Sequence, residues 1–389
     1  MTDIMDAVVR ISRIKARVLG HITRAGLRPP KMVTLMITNG CNLRCKHCWP
    51  KSRSSDVTPP VPVDTLRRLI RELVNLGVEE ICLTGGEPLT HPDWFEILNF
   101  SCKQSGLKRV RLQTNATLLT EADIKVLRSI NFEGLSVQVS LEGAKPQTHD
   151  RVRGSGNFER AFRGLKLLAE GGLGKQTLVA FTEMEHNFTE LPLLLEMVDV
   201  LGIGRLASGT LVLGGRAAQI DQLVPPTPSQ YRDLLDLFHS DTQFRSRYKK
   251  IGNIAALEWL AGRLNPSPQS CVCIETPYIN ADGQMYPCVM LPIEEYAVQG
   301  VHHRPLGEVL TEGALLWAEL PELNLRRSVE LEACKECPGQ LHCGGGCMGR
   351  AYAATGNFMS VEDRCALRKC VYSWKAPLNS ARIEGFNHI

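Results

Sequence analysis

Residues 37–50 read Ile37-Thr-Asn-Gly-Cys41-Asn-Leu-Arg-Cys45-Lys-His-Cys48-Trp-Pro50 and follow an apolar, β-rich run. The segment is therefore predicted to be a loop that leaves the first strand of a sheet. Its cysteines, with spacings of three and then two, can converge on one metal centre. The loop has no fourth cysteine, so an iron–sulfur cluster held there would keep one iron open for a ligand. The alternative is a zinc site completed by His47, which reaches the ion held by the adjacent Cys48 only under strain.

Around this loop, β-rich apolar runs alternate with longer helical patterns. We predict strands at residues 32–38, 80–83, 109–113, 135–141, 176–181 and 205–211, and helices near 64–77, 93–105, 121–130, 158–171 and 189–201. Helix starts are expected at Asp64 after Pro62 and in segments 120–123 and 187–190. The alternation predicts an α/β fold with a parallel sheet, open or curled into a partial barrel. In such sheets the chemistry lies beyond the carboxyl ends of the strands.

The composition excludes several classes of protein. The chain has 389 residues, of which 43% are hydrophobic and 22% charged, so it is neither disordered nor collagen-like. Its 45 basic and 41 acidic residues are too balanced to indicate a nucleic-acid partner. No apolar run approaches the roughly 20 residues needed to span a bilayer, and no signal peptide is visible. A cytoplasmic location is therefore expected.

Four segments follow from these patterns. An amphipathic helix at the start is expected to cap the next domain, rather than to act as a transit peptide or a membrane-surface helix. Its apolar stripe consists of Ile4, Val8, Ile11, Val18 and Ile22. The predicted segments are a helical extension (1–31), the α/β domain (32–220), bridging helices that begin at the proline-rich stretch 222–230 (221–265), and a cysteine-rich domain (266–389).

Most of the 14 cysteines lie in two groups. Close clusters in a chain without a secretory signal favour metal or iron–sulfur ligation over disulfides. Cys82 and Cys102 are interpreted as small core residues, and Cys370 has no assigned role. Structural zinc ribbons are the alternative for the second group. Its candidate ligands are Cys271, Cys273, Cys288, Cys334, Cys337, Cys343, Cys347 and Cys365.

The CxxxCxxC spacing of Cys41, Cys45 and Cys48 after a strand resembles the signature of the radical S-adenosylmethionine (SAM) superfamily. The resemblance implies a partial (β/α)6 TIM-type barrel. It also implies that the three cysteines hold a [4Fe-4S] cluster whose open iron binds the amino and carboxylate groups of SAM. His47 would then pack near the adenine.

Further segments at the predicted strand ends match the family. Thr84-Gly-Gly-Glu-Pro88 resembles its GGEP motif, in which glycines permit close backbone approach and Glu87 accepts hydrogen bonds from a ligand ammonium. Ser140-Leu-Glu-Gly143 resembles the family's Ser-Leu-Asp-Gly, with Glu142 in place of Asp. Arg153 would pair with a carboxylate, a surface ion pair being the alternative. The implied SAM contacts are His47, Gly85, Gly86, Glu87, Pro88, Asn115, Ser140, Glu142 and Arg153.

The cysteine order of the last domain resembles the SPASM extension of radical SAM enzymes, which often carries two auxiliary [4Fe-4S] clusters. By that pattern Cys273, Cys288 and Cys347 serve the first cluster, and Cys334, Cys337, Cys343 and Cys365 serve the second. Cys271 departs from the family spacing, so whether it ligates stays open. Asp282-Gly283 predicts a β-hairpin that ends at Cys288, and short helices are expected around it.

The implied reaction is reductive cleavage of SAM by an electron from a ferredoxin or flavodoxin. The resulting 5′-deoxyadenosyl radical removes a hydrogen atom from the substrate. We expect oxidative modification or crosslinking of a peptide or protein, with a haem-type tetrapyrrole or other cofactor precursor as the alternative substrate. Residues 1–31 are too short for the leader-binding domain of many peptide-modifying relatives. A non-enzymatic iron–sulfur electron carrier is the third hypothesis, and no catalytic base or radical donor is assigned.

Overall fold

The computed structural model describes residues 2–55, 58–264, 271 and 273–376, and of residues 2–12 only the helical backbone. The strands are β1 (Met32–Met36), β2 (Gly40–Cys41), β3 (Arg53–Ser54), β4 (Glu80–Thr84), β5 (Arg109–Thr114), β6 (Leu135–Ser140), β7 (Thr177–Glu183), β8 (Arg205–Thr210), β9 (Gly252–Asn253), β10 (Tyr278–Ile279) and β11 (Met285–Tyr286). The helices are α1 (Thr2–Arg24), α2 (Val63–Asn75), α3 (Trp94–Cys102), α4 (Glu121–Arg128), α5 (Pro146–Arg153), α6 (Asn157–Leu168), α7 (Leu191–Val200), α8 (Pro228–Ser240), α9 (Thr242–Ile251), α10 (Ala255–Leu264), α11 (Leu306–Leu316), α12 (Leu320–Glu330), α13 (Gln340–Cys343), α14 (Met348–Thr355) and α15 (Cys365–Ser373).

In the described residues the main sheet has nine strands, in the order β11-β10-β1-β4-β5-β6-β7-β8-β9. Every neighbouring pair is parallel except the hairpin pair β10 and β11. The six strands β1 and β4–β8 are the six that the apolar runs predict, and helices alternate with them. The predicted α/β fold and the hairpin of the cysteine-rich region are therefore confirmed.

The strand pattern separates a packing face from a cavity face. In β6, Leu135, Val137 and Val139 are buried, whereas the alternate residues, among them Gln138 and Ser140, are half-buried. Because neighbouring side chains of a strand point to opposite faces, the apolar set packs on the helices. The polar set, which includes Gln138 and Ser140, lines a cavity inside the curve of the sheet. The same alternation that builds the core thus places polar groups at the site.

Two predicted helix starts have different outcomes. Thr120 caps α4 through a capping box with Asp123, as predicted. A 3₁₀ turn, Phe188–Glu190, begins directly after Asn187 as predicted, but the Asn187 side chain does not cap it. The Asn187 amide instead accepts from the backbone N–H of Met184 and donates to the carbonyls of Glu142 and Thr182.

The carboxyl-terminal region is joined to the barrel at several places. Strand β10 extends the sheet beyond β1, with Thr34 opposite Tyr278, and β9 extends it beyond β8. Helix α15 packs on the bridging helices α8 and α10, and α1 packs on α11. Val18 and Ile22 of the predicted α1 stripe are buried, whereas the side chains of Ile4, Val8 and Ile11 lie outside the described residues. The predicted domain boundary at 265/266 also lies outside them.

Arg350 of α14 holds this region against the end of β8. Its guanidinium donates to the carbonyls of Thr210, at 3.1 Å, and Leu211, at 2.5 Å. The same group pairs with Asp363 at 2.7 Å, and both side chains are buried. Removing one partner of a buried pair leaves the other charge uncompensated, which is costly.

We expect Arg350→Met to lower the free energy of unfolding by about 3–5 kcal/mol, because Asp363 and two strand-end carbonyls lose their donor. Arg326→Met is the matched control, since Arg326 pairs with Glu330 in a half-exposed i,i+4 bridge. Anaerobic chemical unfolding of both variants measures the difference. Equal stability of the two variants would contradict the proposed role of Arg350.

Candidate active site

The three amino-terminal cysteines lie around one cavity. Cys41, Cys45 and Cys48 all line a volume of about 540 Å³ at the carboxyl ends of the parallel strands. The backbone N–H of Leu43 donates to Cys41 Sγ at 3.3 Å, and Arg153 Nη1 lies 3.8 Å from Cys45 Sγ. Burial raises the pKa of the Cys41 thiol to about 12. Its sulfur therefore becomes a thiolate only when a metal displaces the proton.

Two glycines let the end of β4 lie against the backbone of this cysteine loop. A Cβ atom on Gly85 would lie 2.6 Å from the Thr38 carbonyl oxygen, and one on Gly86 would lie 2.2 Å from that of Gly40. The N–H of Gly86 donates to the Thr38 carbonyl at 2.8 Å, and that of Glu87 donates to the Gly40 carbonyl at 2.8 Å. Both glycines also line the cavity. The absence of side chains at Gly85 and Gly86 thus leaves room for the backbone of the cysteine loop and for a ligand in the cavity.

Glu87 has several protein donors beside the cavity, and its predicted contact with SAM stays a prediction. Its carboxylate is 1% exposed and accepts hydrogen bonds from Thr114 Oγ1 and Asn115 N, each at 2.7 Å, and from Leu89 N at 3.1 Å. Burial raises the pKa of Glu87, while these donors favour its charged form. The side chain borders the cavity, but three protein donors already occupy most of the carboxylate's roughly four acceptor positions. Glu87 therefore chiefly ties the ends of β4 and β5 together.

Glu142 and Pro88 are not among the residues that line the cavity, and their predicted contacts with SAM stay predictions. The Glu142 carboxylate is buried and accepts from Arg153 Nη2 at 2.7 Å, His47 Nε2 at 3.2 Å and Thr182 N at 2.7 Å. Burial opposes its charge, but Arg153 and His47 lower its pKa overall. Pro88 is buried at the start of a short 3₁₀ turn. Glu142 therefore lies outside the cavity wall and orients Arg153 and His47, which do line the cavity.

Arg153 is therefore not a surface residue. It lines the cavity, is held by Glu142, and directs Nη1 towards Cys45. His47, Asn115 and Ser140 also line the cavity, as predicted from the motifs. The Asn115 side chain donates to Asn42 and accepts from Thr117, so it holds the cysteine loop to the turn after β5.

Several lining residues were missed by sequence reasoning. Gln113 and Gln138 line the cavity from adjacent strands and pair at 3.3 Å. The alternation of apolar and polar residues in both strands could have indicated this. Arg216 could not be found from any local pattern. Its guanidinium donates to the carbonyls of Cys45 and Ser52, and its N–H donates to that of Cys48. Other missed polar residues include Ser52, Thr114, Thr182, Ser208 and Thr210.

The first carboxyl-terminal set of thiols includes Cys271. Its Sγ lies 3.0 Å from that of Cys273, and this contact lowers the pKa of Cys271. Hydrogen bonds with Cys271 and Cys288 raise the pKa of Cys273. Burial and the charges of Cys288 and Cys271 raise that of Cys347. Four thiols are thus neighbours at the base of the hairpin.

The second set surrounds a small separate cavity. Cys334, Cys337, Cys343 and Cys365 all line it, together with Arg368. Cys370 lies apart and donates to the Pro228 carbonyl at 3.1 Å, while Cys82 and Cys102 are buried in the core. Within the described residues, no group of three Cys, His, Asp or Glu side chains is arranged to hold a single metal ion. A cubane cluster is instead bound through separate irons, one thiolate to each.

Buried charges, which sequence reasoning missed, connect the two sets. Arg327 is fully buried and donates to the carbonyls of Gly345, Gly346 and Ser360. Glu362 accepts from the N–H of Cys347 at 3.0 Å and pairs with Arg364 and Arg368. Because residues 344–346 join Cys343 of one set to Cys347 of the other, Arg327 fixes the distance between the sets.

A parallel α/β sheet with three thiols around a cavity at its carboxyl end defines an iron–sulfur protein with a ligand cavity. The family model for the radical SAM superfamily matches residues 35–191. The chain is 30% identical over 358 residues to the AdoMet-dependent heme synthase of Methanosarcina barkeri, covering 87% of this chain and 97% of that protein. The chain therefore belongs to the radical SAM superfamily, and it is an enzyme whose cofactors include a [4Fe-4S] cluster and SAM (AdoMet).

Two further comparisons cover both regions of the chain. The mycofactocin maturase MftC of Mycobacterium ulcerans is 29% identical over 371 residues, 90% of each protein. The structure of native anSMEcpe with bound AdoMet and Cp18Cys peptide aligns with a TM-score of 0.68 at 19% identity, covering 88% of this chain and 96% of that one. The cysteine-rich region is thus part of the shared fold, of the SPASM type. In the described part of the chain, no helix combines the length and apolarity needed to cross a membrane.

The residues at the first cavity fit a cluster with three thiolate ligands. Such a cluster with SAM carries negative charge at its sulfurs and at the SAM carboxylate. Arg153 supplies a buried positive charge beside Cys45, and Leu43 supplies an N–H to Cys41. Gln113, Gln138 and Ser140 supply neutral polar groups on the facing wall. The donor set therefore suits both the cluster and a polar ligand.

We expect Gly86→Ala to reduce the iron content bound by Cys41, Cys45 and Cys48, because its Cβ overlaps the Gly40 carbonyl and displaces the cysteine loop. Gly209→Ala is the control, since a Cβ there meets nothing within 4 Å although Gly209 also lines the cavity. Iron analysis of both anaerobic variants measures the effect. Full iron content in Gly86→Ala would contradict the packing role.

The stability of the protein should depend on pH through His149. Burial lowers its pKa from 6.5 to about 4, so the folded protein keeps the imidazole neutral while the unfolded chain binds a proton near pH 6.5. The contribution of neutral His149 to the free energy of unfolding is fully present above pH 6.5. It is lost as pH falls towards 4, by at most about 1.4 kcal/mol per pH unit. The His149→Asn variant, which can still accept from the Glu142 N–H, should lose less stability between pH 7.5 and 5.5. Thermal unfolding of both proteins across that range tests this, and parallel curves would contradict it.

Proposed function

We propose that the cavity lined by Cys41, Cys45 and Cys48 is where SAM is cleaved and where a substrate loses a hydrogen atom. The observation that carries this proposal is the convergence of the three thiols with Gly85, Gly86 and Arg153 on one cavity at the strand ends. Cys41, Cys45 and Cys48 would hold a [4Fe-4S] cluster there, which would supply the electron for reductive cleavage of bound SAM. The protein supplies position, charge and exclusion of water.

Named residues of this chain would hold the ligand. Arg153, fixed by Glu142, provides a positive charge for the cysteine thiolates and an anionic group of SAM. The Gln113–Gln138 pair, Ser140 and Asn115 border the opposite wall and can orient hydroxyl or amino groups. His47 would pack against the adenine. Glu87 and Glu142 act as positioning residues behind these contacts.

We also propose two auxiliary [4Fe-4S] clusters in the segment from 266 to 389. Cys271, Cys273, Cys288 and Cys347 would bind the first, and Cys334, Cys337, Cys343 and Cys365 the second. The contact between Cys271 and Cys273 supports a full set of four thiolates for the first cluster. The common cavity of the other four supports the second. The neighbouring segments would be the helical extension 1–31, the barrel 32–220 and the bridge 221–265.

The proposed substrate is a peptide or protein that is oxidatively modified or crosslinked, and the proposed reductant is a ferredoxin or flavodoxin. The likeness to a mycofactocin maturase over 90% of the chain supports the first part. A tetrapyrrole is the second candidate, favoured by the 30% identity to an AdoMet-dependent heme synthase over 97% of that protein. Incubation of the anaerobic enzyme with SAM and dithionite, with either a candidate precursor peptide or an iron porphyrin, separates the two. Mass spectrometry then shows which of them loses hydrogen.

Replacement of Cys41, Cys45 and Cys48 by alanine should abolish formation of 5′-deoxyadenosine from SAM under dithionite. The reason is that no thiolates remain in the loop to hold the cluster. Cys370→Ala is the control, because Cys370 lies apart from the three sets. Chromatographic detection of 5′-deoxyadenosine is the measurement. Continued formation by the triple variant would overturn the proposed function.

A further inference from the structure

A second recess lies on the outer side of the cysteine loop. Its volume is about 680 Å³, and it shares Cys41, Leu43, Ser52 and Arg216 with the wall of the first cavity. A single segment of chain therefore separates the two spaces. Any group that binds in the outer recess lies across that segment from the thiols.

The recess is strongly basic. Arg44, Lys51 and Arg53 line it and are exposed, and Arg216 forms part of its floor. The lining described for the recess contains no aspartate or glutamate, and none of the three exposed cations pairs with a carboxylate of the described residues. This is unusual in a chain whose 45 basic and 41 acidic residues nearly balance. We call Arg44, Lys51, Arg53 and Arg216 the basic patch.

The patch is held rigidly against the cysteine loop. Arg216 donates to the carbonyls of Cys45 and Ser52, at 2.8 and 2.9 Å. The N–H of Arg53 donates to the Asn39 carbonyl, and β3 pairs with β2, which contains Cys41. A protein bound to the patch would thus be positioned directly against the thiols, which favours transfer of an electron over a short distance.

We propose that the basic patch is the docking surface for a small acidic electron-carrier protein, which reduces the cluster held by Cys41, Cys45 and Cys48. This inference rests on the proposed function. One electron leaves the reduced carrier, which is oxidised by one electron, and it is consumed when the bond between sulfur and the 5′ carbon of SAM breaks. An acidic partner is steered to such a surface by long-range charge attraction, which acts mainly on association.

Around the second auxiliary set Lys369 is exposed, but Lys335, Arg364 and Arg368 pair with carboxylates. Lys335, between Cys334 and Cys337, pairs with Glu332 at 2.5 Å. Glu336 lies next to it in the sequence, so the charges there are mixed. The patch therefore assigns electron entry to the first cysteine loop, rather than to the auxiliary region.

The test uses Lys51→Glu/Arg53→Glu in the full-length holoenzyme, with Lys125→Glu/Arg128→Glu as the control. The control makes the same change in net charge on the exposed side of α4, and neither of its residues lines either recess. Initial rates of 5′-deoxyadenosine formation are measured against the concentration of reduced flavodoxin. They are measured again with methyl viologen and dithionite, small reductants that need no docking surface.

We expect the patch variant to raise the KM for flavodoxin by about tenfold and to lose the salt dependence of the wild-type enzyme. Its rate with methyl viologen should stay within about twofold of wild type, and the control variant should behave as wild type with both reductants. An unchanged KM for flavodoxin in the patch variant, or an equal rise in the control, would overturn the docking proposal. So would a rise in the KM for the substrate instead, which would identify the patch as a substrate site. If wild-type enzyme forms no 5′-deoxyadenosine with methyl viologen, the proposed function itself is overturned, and not only the docking proposal.

Discussion

The packing of Gly85 and Gly86 against the backbone of Thr38 and Gly40 is the constraint on which the site depends. This contact leaves no room for a side chain, and it brings the end of β4 to the loop that carries Cys41. Glu87 then joins β4 to β5 through Thr114 and the Asn115 backbone. The loop is thereby fixed before any ligand binds, so its thiols need little rearrangement when a cluster forms.

Buried charge organises both ends of the molecule. At the first cavity, Arg153 is held by Glu142 and faces Cys45. In the carboxyl-terminal region, Arg327 fills a similar position among carbonyls between two sets of thiols. Buried ion pairs are expensive to form, so they are weak evidence for stability alone. Their position beside thiols agrees instead with a need to compensate the negative charge of thiolate-bound clusters.

The sequence predicts the sheet well because each strand buries one face and exposes the other to the cavity. The apolar runs therefore identify β1 and β4–β8, and the cysteine spacings identify two groups of thiols. The resemblance to the SPASM extension divides the second group into two sets. The roles of Glu87 and Glu142 were harder to predict. A carboxylate at a strand end accepts from donors that lie close in space, and here Thr114 and Thr182 supply such donors to Glu87 and Glu142. Arg216 and Arg327 donate hydrogen bonds to backbone carbonyls that are distant in the sequence, and no local sequence pattern predicts such contacts.

Three separate sets of thiols should hold three clusters, and metal analysis tests this most directly. Iron and acid-labile sulfide should be measured per chain in protein purified without oxygen, with zinc measured in the same sample. About twelve irons and about twelve sulfides with no zinc are expected from three [4Fe-4S] clusters. About four irons accompanied by zinc would contradict this expectation, because the carboxyl-terminal thiols would then form structural zinc sites and only the first cavity would carry a cluster.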